Sequence, residues 1–549
     1  MSTHEVTNQV PPLAGHSLLT SDPALEEGLR RWAGHAAYED IAVLGELAGR
    51  PEAQRAGELA NTHTPVLRTH SPTGERVDEV DFHPAWHQLM DTAVVHGLTA
   101  SPWTEPPGTG AHVRRAAGFI VWSQVEAGHL CPVSMTYAAV PALRHNEALA
   151  QAWVPKLASR EYDFGLRPLA GKRGAIAGMG MTEKQGGSDV RANTTTAAAT
   201  PGGPLAGGET YRLTGHKWFM SAPMSDAFLV LAQTGEGPTC FLVPRVLDDG
   251  SRNALALQRL KDKLGNRSNA SSEVELDGTW GVRVGDEGRG VRTIIDMVAS
   301  TRLDCVLGSA ATMRAALARA VHHARHRSAF GALLVDQPLM RNVLVDLALE
   351  SEAATTLGLR LAHAVDEGDT DLTRLAVAVG KYWVCKRTAP MVAEALECLG
   401  GNGYVEEHGL ARLYREAPLN SIWEGSGNVG ALDVLRAVTR EPASVEAFAR
   451  EVKRGEGHSA VLDRAIADVG EVARYAAEPG AQAGARRLVE RLAVTLQASL
   501  LVQHAPSAVA DAFVASRLGG QHGHTFGTLE ASLTSTSVAR PLLERALAL

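Results

Sequence analysis

Ser421-Ile422-Trp423-Glu424-Gly425-Ser426-Gly427-Asn428 sets one carboxylate between a bulky indole and a run of small residues. An apolar neighbour raises a carboxyl pKa by desolvation, which suits an acid–base group working near neutral pH. The glycines let something flat or bulky come close to the backbone. A Glu before Gly also serves as a helix-end charge. The stretch therefore takes its meaning from segments far away in the chain that share its chemistry.

Working outward, the sequence from about Val291 to Arg436 reads as long helices, broken at Gly331 and at Gly400-Gly401-Asn402-Gly403. Beyond it, 441–549 is rich in Ala and Leu and again helical. Upstream, composition changes near Gly178, and Gly-rich turns and short strands follow between Met181 and Val284. There Tyr211 and Leu213 alternate with polar neighbours, Ala227–Ala232 and Thr239–Val243 are apolar runs, and Ser272–Leu276 alternates. Pro23–Leu47 is helical, as is Asp81 to about Arg160, where Phe119, Trp122 and Val125 recur at helical spacing. The expected class is α+β, mainly helical. The expected domains are an N-terminal extension with a helical domain (1–180), a middle β domain (181–285), a helical bundle (286–438) and an extra C-terminal helical domain (439–549). No internal repeat of solenoid or propeller length is present.

A chain of 549 residues exceeds one ordinary core. Hydrophobic content of 45% and charged content of 21% are those of a globular protein in water. A net charge of −8 argues against wholesale nucleic-acid binding while leaving local patches open. The five cysteines form no CxxC pair, which fits a reducing interior, and no zinc spacing occurs. There is no basic-then-apolar leader and no run of about 18 uncharged apolar residues. The expectation is a cytoplasmic protein with no membrane span and no metal.

Four further segments carry ligand chemistry. Met181-Thr182-Glu183-Lys184-Gln185-Gly186-Gly187-Ser188-Asp189-Val190 offers backbone N–H groups, with Thr182 and Ser188 hydroxyls, to the polar edge of a ligand; it also reads as a surface turn. Gly215-His216-Lys217-Trp218-Phe219-Met220-Ser221 is a turn and a strand whose indole could face core or ligand. In Arg327-Ser328-Ala329-Phe330-Gly331, with Gln337 after it, Arg can hold a phosphate while the aromatic lies on a base, or it is a solvated helix-end charge. The glycines at 400–403 allow a phosphate close approach, or cap a helix. No GxGxxG follows a strand, so a Rossmann site is not indicated.

In their order these segments resemble the acyl-CoA dehydrogenase family of flavoproteins. The resemblance rests on Met181-Thr182-Glu183 with Gly187-Ser188-Asp189, Gly215–Trp218, Arg327–Gly331 with Gln337, Leu399–Tyr404 and Trp423–Gly425, across roughly 80–436. It implies a helical domain, a β domain and a four-helix bundle, with non-covalent FAD, usually in a homotetramer. It assigns Met181, Thr182, Gly187, Ser188, Trp218 and Ser221 to the flavin and its phosphates, with Trp423, Ser426 and Asn428 beside the cofactor. Arg327, Phe330, Gln337, Gly400 and Gly401 would meet the adenosine-diphosphate portion of a FAD bound mainly to a neighbouring subunit. Glu424 falls on the catalytic base, which removes the pro-R α-proton of an acyl-CoA or related thioester while the β-hydride passes to flavin N5. Where some members keep the base in an earlier helix, this chain has Thr301, which cannot serve. Arg302 next to it would be an electrostatic neighbour of Glu424.

A closer resemblance is to the AidB-type branch, flavoproteins of the adaptive response to DNA alkylation. It rests on Asp78–His87, on Lys184 and Gly186, on Lys261–Ala270 and on the C-terminal helices. In that branch the last domain is basic and binds double-stranded DNA, and dehydrogenase activity is weak. Here 440–549 holds 12 Arg/Lys and 12 Asp/Glu, a formal charge of zero. A neutral domain is a poor general DNA binder. Lys453-Arg454, and Arg486-Arg487 with Arg491, remain as local clusters, and they read equally as solvated helix charges. The leading reading is α,β-dehydrogenation of an acyl thioester. The alternatives are a DNA-associated flavoprotein with little dehydrogenase activity, and a dehydrogenase of a specialised pathway acting on an unusual or carrier-bound substrate.

Overall fold

Tyr211 and Leu213 are buried while Arg212 and Thr214 between and after them are exposed, so the strand Thr210–Ser221 has one face for a core and one for solvent. The computed structural model of the protein, which describes residues 3–548, divides into two compact units. One comprises Glu52–Pro106 and Val125–Thr301; the other comprises 3–51, Pro107–Gln124 and 302–548. The helix Gly290–His326 passes from the first to the second between Thr301 and Arg302.

In the first unit a seven-stranded sheet is the centre. Thr210–Ser221 pairs antiparallel with Thr196–Ala199 on one side and Ser271–Val284 on the other. Ser271–Val284 pairs Gly237–Pro244, which pairs Ala227–Thr234. The parallel Thr196–Gln233 bridge joins Ala227–Thr234 to Thr196–Ala199, closing a ring of strands. Tyr211, Leu213, Met220, Phe228, Val230, Phe241, Leu257 and Val274 fill the core. Register shifts fall after Leu213 and between Lys217 and Met220. The second shift re-aims the side chains of 217–219, as bulges do.

The sequence reading has no strand before residue 181, whereas Val66–His70 and Arg76–Asp81 form a hairpin. Its strands carry charges instead of an apolar alternation. Arg68 bonds Asp81 at 2.6 Å and Glu79 at 3.0 Å across the hairpin, while Val80 and Leu67 seat it on the sheet core, two apolar contacts that make no alternating run.

The second unit is helical. Helix breaks lie at Gly331 and 400–403 as expected, and a further one separates Pro338–Asp366 from Thr370–Glu397. Asp369 caps that second helix by accepting from the Leu372 amide at 3.0 Å. The C-terminal helices fall within this same unit: Ala481–His504 packs on Pro338–Asp366, Thr370–Glu397 and Gly427–Arg440. Buried and part-buried ion pairs cross-tie it. Arg360 bonds Glu451 at 2.7 Å, Arg115 bonds Asp304, and Arg545 joins Glu27 to Glu352. In these pairs each cation meets an anion, which offsets the cost of desolvation. All five cysteines are buried and free.

Candidate active site

In the helical unit, Glu424 sits in a turn between the short helix Leu419–Ser421 and the helix Gly427–Arg440. Its φ is 57°, and that of Gly425 is 102°. A non-glycine residue in the left-handed region is strained and persists only where its surroundings hold it. Here they do. Lys381 Nζ donates to the carbonyls of Trp423 (2.8 Å) and Gly425 (2.5 Å), and Arg302 Nε donates to that of Glu424 (3.0 Å). Trp423, which precedes the half-buried Glu424, donates its Nε1 to Asn420 Oδ1 at 2.8 Å, and this fixes the orientation of its indole. Asn420 in turn donates to Ser309 Oγ at 3.2 Å.

Arg302 also donates to Asp433 at 2.6 Å, and Asp433 further receives Arg374 at 3.1 Å and Arg436. Burial would raise the Asp433 carboxyl, but Arg302, Arg374 and Arg436 outweigh it and hold it down at about 2. Thr301, which precedes Arg302 on the long helix, is buried with its hydroxyl donating to the Val298 carbonyl at 3.1 Å.

The remaining candidates of this unit lie on other elements. Arg327 ends the long helix and donates to the Asn8 carbonyl, while Ser328 exchanges bonds with the Asn8 side chain at 2.8 and 2.9 Å. Phe330 stands fully exposed, 101%, with φ 51°. Gln337 donates to the Ala329 carbonyl at 3.1 Å, closing the turn that carries Phe330. Gly400 (φ 58°) and Gly401 are exposed, and a Cβ on either would meet nothing within 4 Å. Ser426 caps Gly427–Arg440 without a side-chain bond, and Asn428 accepts from Arg486 at 2.9 Å. That bond takes Arg486 away from Arg487 and Arg491, which line a cleft of about 650 Å³ with Arg464 and Tyr475.

In the sheet unit, the loop after Met181 is pinned from below. Glu183, with no exposure, accepts from Lys217 (2.8 Å), the Thr194 amide (2.7 Å) and Thr194 Oγ1 (3.0 Å). Burial would raise the Glu183 carboxyl, but Lys217 and the Thr194–Thr195 donors hold it well below the usual carboxylate range. Trp218 donates its amide to the Thr182 carbonyl at 2.8 Å, bringing those two candidates together. Its half-buried indole carries Lys261 Nζ 3.3 Å from the ring centroid. Gly187 is packed so that a Cβ would lie 2.6 Å from Thr182 Oγ1. Ser188 is exposed, and Ser221 meets Ser271 at 3.4 Å.

Lys381, Asp433, Arg374 and Asn420 escaped the sequence reading. Lys381 had a signal: a lone cation after Ala376-Val377-Ala378-Val379-Gly380, on a helix otherwise apolar there. Asp433 and Arg374 had none, because their pairing joins residues of different helices.

The comparisons with known proteins agree along the chain. The acyl-CoA dehydrogenase C-terminal domain matches residues 288–439 and the middle domain residues 178–279. The chain belongs to the acyl-CoA dehydrogenase family. Residues 8–164 match the adaptive response protein AidB N-terminal domain. The chain is 47% identical over 481 residues to the putative acyl-CoA dehydrogenase AidB of Escherichia coli (strain K12), spanning 87% of this chain and 88% of that one. It is 31% identical over 475 residues to acyl-CoA dehydrogenase family member 11 of Caenorhabditis elegans, with 82% and 75% covered. The crystal structure of C. elegans ACDH-11 in complex with C11-CoA superposes with a TM-score of 0.84 at 27% identity, covering 95% of this chain and 94% of that one. No helix among the described residues is long and apolar enough to cross a membrane.

Proposed function

We propose that this protein is an FAD-dependent dehydrogenase of acyl thioesters in which Glu424 removes the substrate α-proton. The observation that carries the reading is the turn itself: a half-buried carboxylate on a strained backbone, fixed through its main chain by Lys381 and Arg302. Strain of this kind clusters at reactive sites, where placement matters more than stability. Membership of the family carries FAD dependence, and the donor set fits. Thr182 and Ser188 make no side-chain hydrogen bond among the described residues, the Gly187 backbone is close-packed beside them, and Gly400–Gly401 is open. When bound, FAD supplies the acceptor for the β-hydride. The chain's own residues place the base: Lys381 and Arg302 hold its backbone, and the Trp423 Nε1 bond to Asn420 fixes the indole of the residue before it. The acyl-CoA substrate class is supported by the family and by the C11-CoA complex of the C. elegans neighbour.

The family resemblance, which assigns Phe330 to a neighbouring subunit's FAD, supports a homotetramer, and the full exposure of that ring is compatible with it. The five free, buried cysteines support a reducing, cytoplasmic setting. The test is anaerobic titration of the purified flavoprotein with an acyl-CoA panel. Flavin bleaching is expected, and Glu424→Gln should retain FAD while losing about 10²–10⁴-fold in reduction rate. Reduction at an unchanged rate in this variant would move the base elsewhere.

A second reading, association with duplex DNA, is favoured by one observation. Arg464, Arg487 and Arg491 are exposed along a cleft of the C-terminal helices that Asp468, Glu471 and Glu478 also line, and none of the three arginines forms an ion pair among the described residues.

A further inference from the structure

We infer that Lys381 is a positioning residue for Glu424, setting the aim of the base through the two carbonyls that bracket it. The inference rests on the reading of Glu424 as the base. Lys381 lies on the helix Thr370–Glu397 and is 3% exposed. Among the described residues no carboxylate pairs with it; its ammonium bonds only the carbonyls of Trp423 and Gly425. A buried ammonium without an anion is costly, and a methionine would fill the same space without that cost. The stabilisation that offsets the burial lies in the two carbonyls.

The geometry assigns that pair of bonds a consequence. In an extended strand the carbonyls of residues i and i+2 lie roughly 6.6 Å apart, too far for one nitrogen to bond both. They meet at one Nζ here because Glu424 between them turns through φ 57°. Arg302 takes the third carbonyl, that of Glu424, so three successive oxygens are engaged by two cations. The left-handed turn is thus the conformation these bonds select. With it goes the direction of the Glu424 side chain. Gly425 is needed beside it: a Cβ there would lie 3.3 Å from Arg302 Nη2, on a backbone at φ 102°.

The test compares Lys381→Met and Lys381→Arg with Glu424→Gln as FAD-loaded proteins. It measures flavin reduction at saturating acyl-CoA, acyl-CoA affinity and the crystal structure of each. Lys381→Met should keep FAD and bind acyl-CoA within about threefold of the parent while reduction slows about 10²-fold, the loss expected from displacing a reacting group by about 1 Å. Lys381→Arg should recover part of that rate. In the Lys381→Met crystal structure Glu424 should leave the left-handed region. An unchanged rate, a proportional loss of rate and affinity, or a Glu424 that keeps its positive φ would each overturn the inference. If Glu424→Gln reduces flavin as fast as the parent, the base assignment fails instead, and the Glu424 backbone in the Lys381→Met crystal still decides the positioning role. Should Lys381→Met not accumulate as folded protein, Lys381→Arg and Lys381→Gln are judged by the same measurements.

Discussion

At Asp433 one carboxylate, 8% exposed, serves Arg302, Arg374 and Arg436. Its folded-state pKa of about 2 lies below the ordinary 3.8. A depressed carboxyl contributes stability that is fully present above the unfolded pKa and is lost as pH falls through the folded one. Asp433→Asn should therefore cost about 2 kcal/mol at pH 7, with the gap to the parent closing as pH drops from about 4 toward 2. Denaturant unfolding of both proteins at pH 7 and pH 3 checks this; a gap of constant size would show that packing, not charge, sets the loss. At this scale the sequence was half legible. Glu424 announced itself through its neighbours Trp423 and Gly425, which are local. Asp433, Arg374 and Lys381 act by contacts between helices, and no local pattern encodes which helix will face which.

The strand Thr210–Ser221 and the loop after Met181 depend on each other through Glu183 and Lys217, both with fully buried side chains. Removing one partner strands the other charge in a region of low dielectric, a loss of about 3–5 kcal/mol. Glu183→Gln alone should lower stability by about that amount, and Glu183→Gln combined with Lys217→Met should regain most of it. A double-mutant cycle by chemical denaturation measures the coupling, and simple additivity of the two changes would refute it. Elements were more legible than residues. Strands such as Ala227–Thr234 and Gly237–Pro244 are apolar runs bounded by turns, and burial makes them so. The Val66–Asp81 hairpin is silent in the sequence because Leu67 and Val80, which seat it on the sheet core, stand among charged residues without an apolar alternation. The turn at Gly368 was missed because apolar helical spacing continues on both sides of it.

For the molecule as a whole, zero formal charge over 440–549 conceals a local arrangement. Arg464, Arg487 and Arg491 line one cleft together with Asp468, Glu471 and Glu478, and Arg486 turns to Asn428 instead. Shared helix faces at spacing of four foretold Arg487 with Arg491; Arg464 comes from another helix and could not be foreseen. If duplex DNA binds there, charge reversal at the three should weaken binding and flatten its salt dependence, by a slope of roughly 0.9 for each phosphate no longer neutralised. Reversal at Arg486 should matter less. Fluorescence anisotropy across a salt series reads this, and binding untouched by the triple reversal would place the DNA surface elsewhere. The buried cysteines carry a consequence of a different kind. Burial pushes the thiols of Cys240 and Cys398 up to about 12 and raises those of Cys305 and Cys385, so native thiolate, the form electrophiles attack, is scarce. A thiol reagent therefore meets an inert surface until the fold opens. Since Cys240 belongs to the sheet unit and Cys305, Cys385 and Cys398 to the helical one, the order in which they are tagged records which unit breathes first.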